Sequence, residues 1–127
     1  ILIDAFSSAS VPAHLLTREA VDLYMSRLSE DGVVVMHVSN KHMNLTSLVA
    51  RIAGALKVEA RYKYYSADPD QPSIYHAQSS QVVVLAHSPA AFETFALDDG
   101  WSVLESDGKR PWSDDYSNVI GAMLDNR

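Results

Sequence analysis

Apolar and polar positions follow two periods along the chain. Residues 1–6 are apolar apart from Asp4, and residues 33–38 are apolar apart from His37. Continuous runs of this length suit strands of a parallel sheet covered by helices on both faces. Between them, after a Ser-rich loop with Pro12, Thr17 is placed to cap a helix in which Val21, Tyr24, Met25 and Leu28 recur at helical spacing. Glu30, Asp31 and Gly32 end that helix. Asn44 is the next cap, above a stripe of Leu45, Leu48, Val49, Ile52, Ala53 and Leu56. From 58 to 65 the pattern alternates, with Val58, Ala60, Tyr62 and Tyr64 on one face of a third strand that has a wetter side. A polar loop with Pro69 and Pro72 leads to a fourth strand at 81–86. Ser88 and Pro89 have the form of an N-cap and first helical residue, which predicts a short helix over 90–97. Beyond Gly100 the chain is loop-rich, with a weak helix at 117–124.

Strands and helices alternating at these spacings predict right-handed βαβ crossovers and an α/β fold with a mostly parallel sheet. No helical pattern separates the third and fourth strands, so the last strand is expected to run antiparallel. No repeat, low-complexity segment or linker divides residues 1–127, which fits one domain.

Composition narrows the chemistry. The formal charge is −6, which disfavours nucleic acid because phosphate binding needs clustered Lys and Arg. The acids are concentrated late: residues 1–88 hold 8 acids and 7 bases, residues 89–127 hold 8 and 3. Such a tail suits a solvated face, or attraction of a cationic partner. The absence of cysteine excludes disulfides, thiolate metal sites and cysteine nucleophiles, and fits a reducing compartment. No apolar run approaches the roughly 18 residues of a membrane span and no signal peptide is visible, so a cytoplasmic location is expected.

Doubly wound domains hold nucleotides at a glycine-rich turn after the first strand. Gly32, Gly54, Gly100, Gly108 and Gly121 lie too far apart to form one. The chain opens at Ile1 directly in an apolar run, so it is expected to be the later part of a longer domain that begins at a middle strand. The unpaired edge of that strand is expected to pair with the missing half or with another copy.

Three segments carry a family resemblance. Residues 1–24, ILIDAFSSASVPAHLLTREAVDLY, resemble the segment after the fourth strand of the spermidine synthase family of aminopropyltransferases. Residues 32–40, GVVVMHVSN, resemble the next strand, and WSDDYSN at 112–118 is similar to the late W-[ST]-D-D-Y motif of spermidine-synthase-like proteins. Some of those are fused to a membrane transporter-like region, which leaves a membrane-fused parent open. The resemblance implies the C-terminal half of a Rossmann-like fold shared with S-adenosylmethionine-dependent methyltransferases. It also implies aminopropyl transfer from decarboxylated S-adenosylmethionine, used as a co-substrate, to putrescine or another amine, with release of methylthioadenosine. The isolated segment, lacking a glycine loop, is expected to be inactive. Methyl transfer from S-adenosylmethionine and a degenerate binding or assembly role remain alternatives.

The resemblance also points to residues. Asp4 matches the acid that helps accept a proton from the attacking amine, at the strand end where ligands of open α/β sheets bind; it could instead cap the loop through the Ser7 or Ser8 amides. Ser7, Ser8 and Tyr75 would neighbour the substrate, and Ala5 and Phe6 would touch the adenine. Family members usually carry a second acid a few residues after the first, to hold the substrate amine. Ala9 stands in that stretch here, and an amine without a counter-charge binds poorly. His76 shares the loop of Tyr75. Asp114 and Asp115 either pin the tail by capping a helix at Ser117 or border the substrate mouth. His14, His37 and His42 are too scattered for metal ligation, and His37, on a buried strand, fits a core histidine. Tyr62, Tyr64 and Tyr65 fit packing residues. Ser7, Ser8 and Ser10 lack the context of a nucleophile elbow.

Overall fold

The computed structural model describes residues 1–6, 11–66, 79–94 and 100–125. Five strands, β1 (Leu2–Ile3), β2 (Val33–His37), β3 (Glu59–Tyr65), β4 (Ser80–Ala86) and β5 (Ser102–Val103), form one sheet in the order β1-β2-β4-β3-β5. The helices are α1 (Arg18–Ser26), α2 (Leu45–Leu56), α3 (Ala90–Thr94) and α4 (Val119–Leu124). The architecture is a mixed α/β domain.

The helix starts follow from their caps. Thr17 accepts the Ala20 N–H at 3.2 Å and opens α1, and Asn44 accepts the Ser47 N–H at 3.0 Å and opens α2. α4 is capped by Asn118, which accepts from Gly121, and not by Asp114 or Asp115. α2 closes on Lys57 in the left-handed region, φ 56°. A side chain there is strained relative to glycine, but the Lys57 N–H still reaches the Ala53 and Gly54 carbonyls.

The expected mostly parallel sheet is corrected. Only β1 and β2 pair in parallel, whereas β2–β4, β3–β4 and β3–β5 are antiparallel. The cause is where β4 sits. It inserts, reversed, between β2 and β3, so those two strands, which share a direction, do not touch. β1, β2 and β3 still run the same way, and the antiparallel relation of the third and fourth strands stands as expected. The first strand is also shorter than its apolar run, since Asp4, Ala5 and Phe6 lie beyond its C-terminal end.

Alternation along β2 and β4 divides the core. Val34, Met36, Val83 and Leu85 face α1 and α2 and join Phe6, Leu16, Leu48, Ile52 and Trp112 in the main cluster. Val33, Val35, Val82, Val84 and Ala86 face the other way, onto Ala91 and Phe92 of α3. On β3 the same alternation sends Ala60 and Tyr62 to the main core and Arg61 and Lys63 to the opposite face. There Arg61 lies 4.6 Å from the Phe92 ring centroid, and Lys63 lies 5.7 Å from that of Trp101. β1 ends the sheet order, with Leu2 71% exposed.

Candidate functional site

Backbone register builds the site. Leu2 pairs with Val35 and Ile3 with Met36, so one further step sets Asp4 beside His37 at the C-terminal ends of two parallel strands. The side chains meet there, His37 Nδ1 lying 2.8 Å from Asp4 Oδ1. The other ring nitrogen, Nε2, is 2.8 Å from Ser39 Oγ, and Ser39 Oγ accepts the Gln81 backbone N–H at 2.7 Å. Gln81 is held in turn: its Oε1 accepts from Thr46 Oγ1 at 3.0 Å. Asp4, His37, Ser39 and Gln81 thus form one hydrogen-bonded chain from the edge strand to β4.

Asn40 fixes the loop after β2. Its Nδ2 donates to the Phe6 carbonyl at 2.8 Å, and its Oδ1 accepts the His42 and Met43 N–H groups. The segments that follow β1 and β2 are thereby tied together across the strand ends.

A cleft of about 300 Å³ opens here, lined by His37, Ser39, Asn40, Lys41, Tyr64, Ser79, Ser80 and Gln81. The Asp4 side chain is 60% exposed and that of His37 31% exposed, so both are within reach of a ligand while locked to each other. A carboxylate, an imidazole and a hydroxyl in series at the mouth of a polar cleft can orient and accept a proton.

The sequence-identified residues divide into groups. Asp4 lies at the site. Ala5 follows it, half-buried, and Phe6 is fully buried, its ring in the main core and its carbonyl occupied by Asn40. A ligand therefore meets no open face of that ring. Ser7, Ser8, Ala9, Ser10, Tyr75 and His76 lie outside the described residues.

Asp114 accepts the Thr17 hydroxyl at 2.7 Å, and its backbone N–H donates to Glu19 Oε2 at 3.1 Å. Arg18 N–H donates to the Trp112 carbonyl at 2.8 Å, and Trp112 is buried. The WSDDY segment is therefore pinned to the start of α1, not to a helix at Ser117. Asp114 lines a separate cleft of about 410 Å³ with His14, Thr17 and Glu19, which shares no lining residue with the cleft at His37. Asp115 is exposed.

His37 corrects the reading of a core histidine. Its ring is satisfied on both nitrogens, but it stands at the strand end with part of its surface open. Tyr64 is the second residue missed. It is half exposed and lines the cleft, whereas Tyr62, one pleat repeat earlier, packs on the core, where burial pushes its hydroxyl pKa upward. The signal for His37 was present in the sequence: two polar residues, each interrupting an apolar run, occupy matching ends of strands joined by one helix.

Among the described residues no group of three or more His, Asp or Glu side chains could hold a metal ion, and no helix is long and apolar enough to cross a membrane. Comparison with protein-family models, with curated proteins and with solved structures returns no match for this chain.

Proposed function

We propose that this chain forms the acceptor side of a spermidine synthase-like transferase, which moves an aminopropyl group from decarboxylated S-adenosylmethionine to an amine. The observation that carries the reading is the Asp4–His37 pair at the ends of adjacent parallel strands, beside a polar cleft. Such strand ends are where ligands of open α/β sheets bind. Three strands sharing one direction, with a reversed last long strand inserted among them, also suit the later half of a Rossmann-like domain.

The chemistry asks little of the protein beyond position and a base. The acceptor nitrogen bonds to the carbon attached to the sulfonium as the carbon–sulfur bond breaks, its electron pair passing to sulfur. The nitrogen then gives up a proton to the Asp4–His37 centre. Ser39, Asn40, Tyr64 and Gln81 supply hydrogen-bonding partners for a polar acceptor. The five glycines offer no phosphate-type turn, so the nucleoside of the donor falls to residues other than those described. The exposed β1 edge suits pairing with a further strand of the same protein or of a second copy.

The test is to incubate the full-length protein with decarboxylated S-adenosylmethionine and a panel of amines, with mass spectrometry for methylthioadenosine and aminopropylated product. Product that falls at least tenfold with Asp4→Asn supports the reading. A folded protein that makes no such product, but transfers methyl from S-adenosylmethionine, replaces it with methyl transfer. A folded protein that makes neither product overturns it in favour of a binding role.

A further inference from the structure

We infer that the proton-accepting atom of this site is Nε2 of His37, reached through the Ser39 hydroxyl, and that Asp4 acts as a positioning residue. The inference rests on the transfer reading above and divides its acid–base centre into roles.

Hydrogen-bond accounting leads to it. An ionised aspartate only accepts, so the 2.8 Å contact places a proton on His37 Nδ1. The Gln81 backbone N–H only donates, so it occupies one lone pair of Ser39 Oγ and leaves the Ser39 proton for another partner. That partner is His37 Nε2, 2.8 Å away. The neutral imidazole is thus fixed with its basic nitrogen towards the serine and its N–H towards the carboxylate.

The arrangement also accommodates the charged ring. When Nε2 gains a proton it donates to the second lone pair of Ser39 Oγ, and Asp4 faces the new positive charge across Nδ1. No hydrogen bond of the chain is lost in either state; only the direction of the Ser39–His37 bond reverses, and the serine proton then points outward. An acceptor amine that donates to Ser39 Oγ can therefore pass its proton to the serine as the serine's own proton moves to Nε2. The nitrogen loses one proton, His37 gains one, and Ser39 is unchanged. Imidazole suits this task near neutral pH better than a carboxylate does. Among the described residues, the other titratable side chains facing the cleft are Lys41 and Tyr64, with Asp4 in contact with His37 beside it.

The experiment is the pH–rate profile of aminopropyl transfer by the full-length protein and three variants. The wild type should lose rate as the pH falls and the imidazole becomes protonated. His37→Gln should be slower by roughly 10²-fold or more, with that acid limb absent. Ser39→Ala should slow transfer by at least tenfold, and Ser39→Thr, which keeps the hydroxyl, should recover most of it. A His37→Gln variant that retains the acid limb and the wild-type rate overturns the inference while leaving the transfer reading intact. Absence of product from the folded wild type overturns both. Nitrogen-15 NMR of the histidine ring provides a readout that needs no variant to fold: the proton should reside on Nδ1 in the neutral state, and a proton on Nε2 would overturn the relay.

Discussion

Asp4 and His37 are 33 residues apart in sequence, yet their side chains meet at 2.8 Å because two parallel strands end level with each other. Each polar residue alone has a plain structural explanation. Together, in contact with Ser39 and beside a cleft, they form a hydrogen-bonded chain at the ends of two paired strands. Residues at strand ends are held by the ladder behind them, which fixes their geometry before a ligand arrives.

Thr17 joins two distant parts of the fold, capping α1 through Ala20 and donating to Asp114 from a buried position. Thr17→Ala removes both bonds and should destabilise the protein by about 1–2 kcal/mol. Thr17→Ser keeps the hydroxyl and should cost less than half of that. Urea unfolding midpoints of the two variants check the difference.

Lys57 holds the left-handed conformation that ends α2. An L-residue in that region costs roughly 1–2 kcal/mol, part of which glycine recovers, the remainder being offset by its greater freedom in the unfolded chain. Lys57→Gly should stabilise by up to about 1 kcal/mol, and Lys57→Ala should not. The shift in thermal midpoint is the measurement.

Arg51 is buried on α2 and binds Asp107 with two nitrogens, at 2.9 and 2.7 Å, and Asp125 at 2.7 Å. The Arg51 hydrogen bonds hold the Asp107 carboxyl down to about 2, from an ordinary 3.8, and lower Asp125 as well, with Lys109 assisting. The folded carboxyl thus titrates below the unfolded one, so native protein binds fewer protons between the two values. This contribution to stability is whole above pH 3.8 and declines as the pH falls towards about 2. Asp107→Asn should flatten stability against pH across that window, which acid titration of the unfolding midpoint will show.

Much of the fold was legible because local signals agreed. The Thr17 and Asn44 caps, the α2 stripe and the apolar runs of β2 and β4 each placed an element within a residue or two of where it lies. Sheet pairing was less legible. Nothing local in Gln81 to Ala86 states that the strand inserts between β2 and β3; that choice is made by packing both of its faces. The site was half legible. Asp4 stood out as an acid in an apolar run, but His37 was read alone, and its meaning depends on the β1–β2 register. The WSDDY segment was singled out only by a resemblance, and its anchor on Thr17 and Glu19 depends on contacts about 95 residues apart in sequence. α4 was placed within two residues of where it lies, but its cap is Asn118, which accepts the Gly121 N–H, and not Asp114 or Asp115.

The most direct measurement is a double-mutant cycle on the transfer reaction, with Asp4→Asn, His37→Gln and the two combined in the full-length protein. If the residues act as one unit, the double variant should be no more than about threefold slower than His37→Gln alone, because Asp4 then has nothing left to position. Losses that multiply, or a wild-type protein that transfers no aminopropyl group to any amine, would contradict the account.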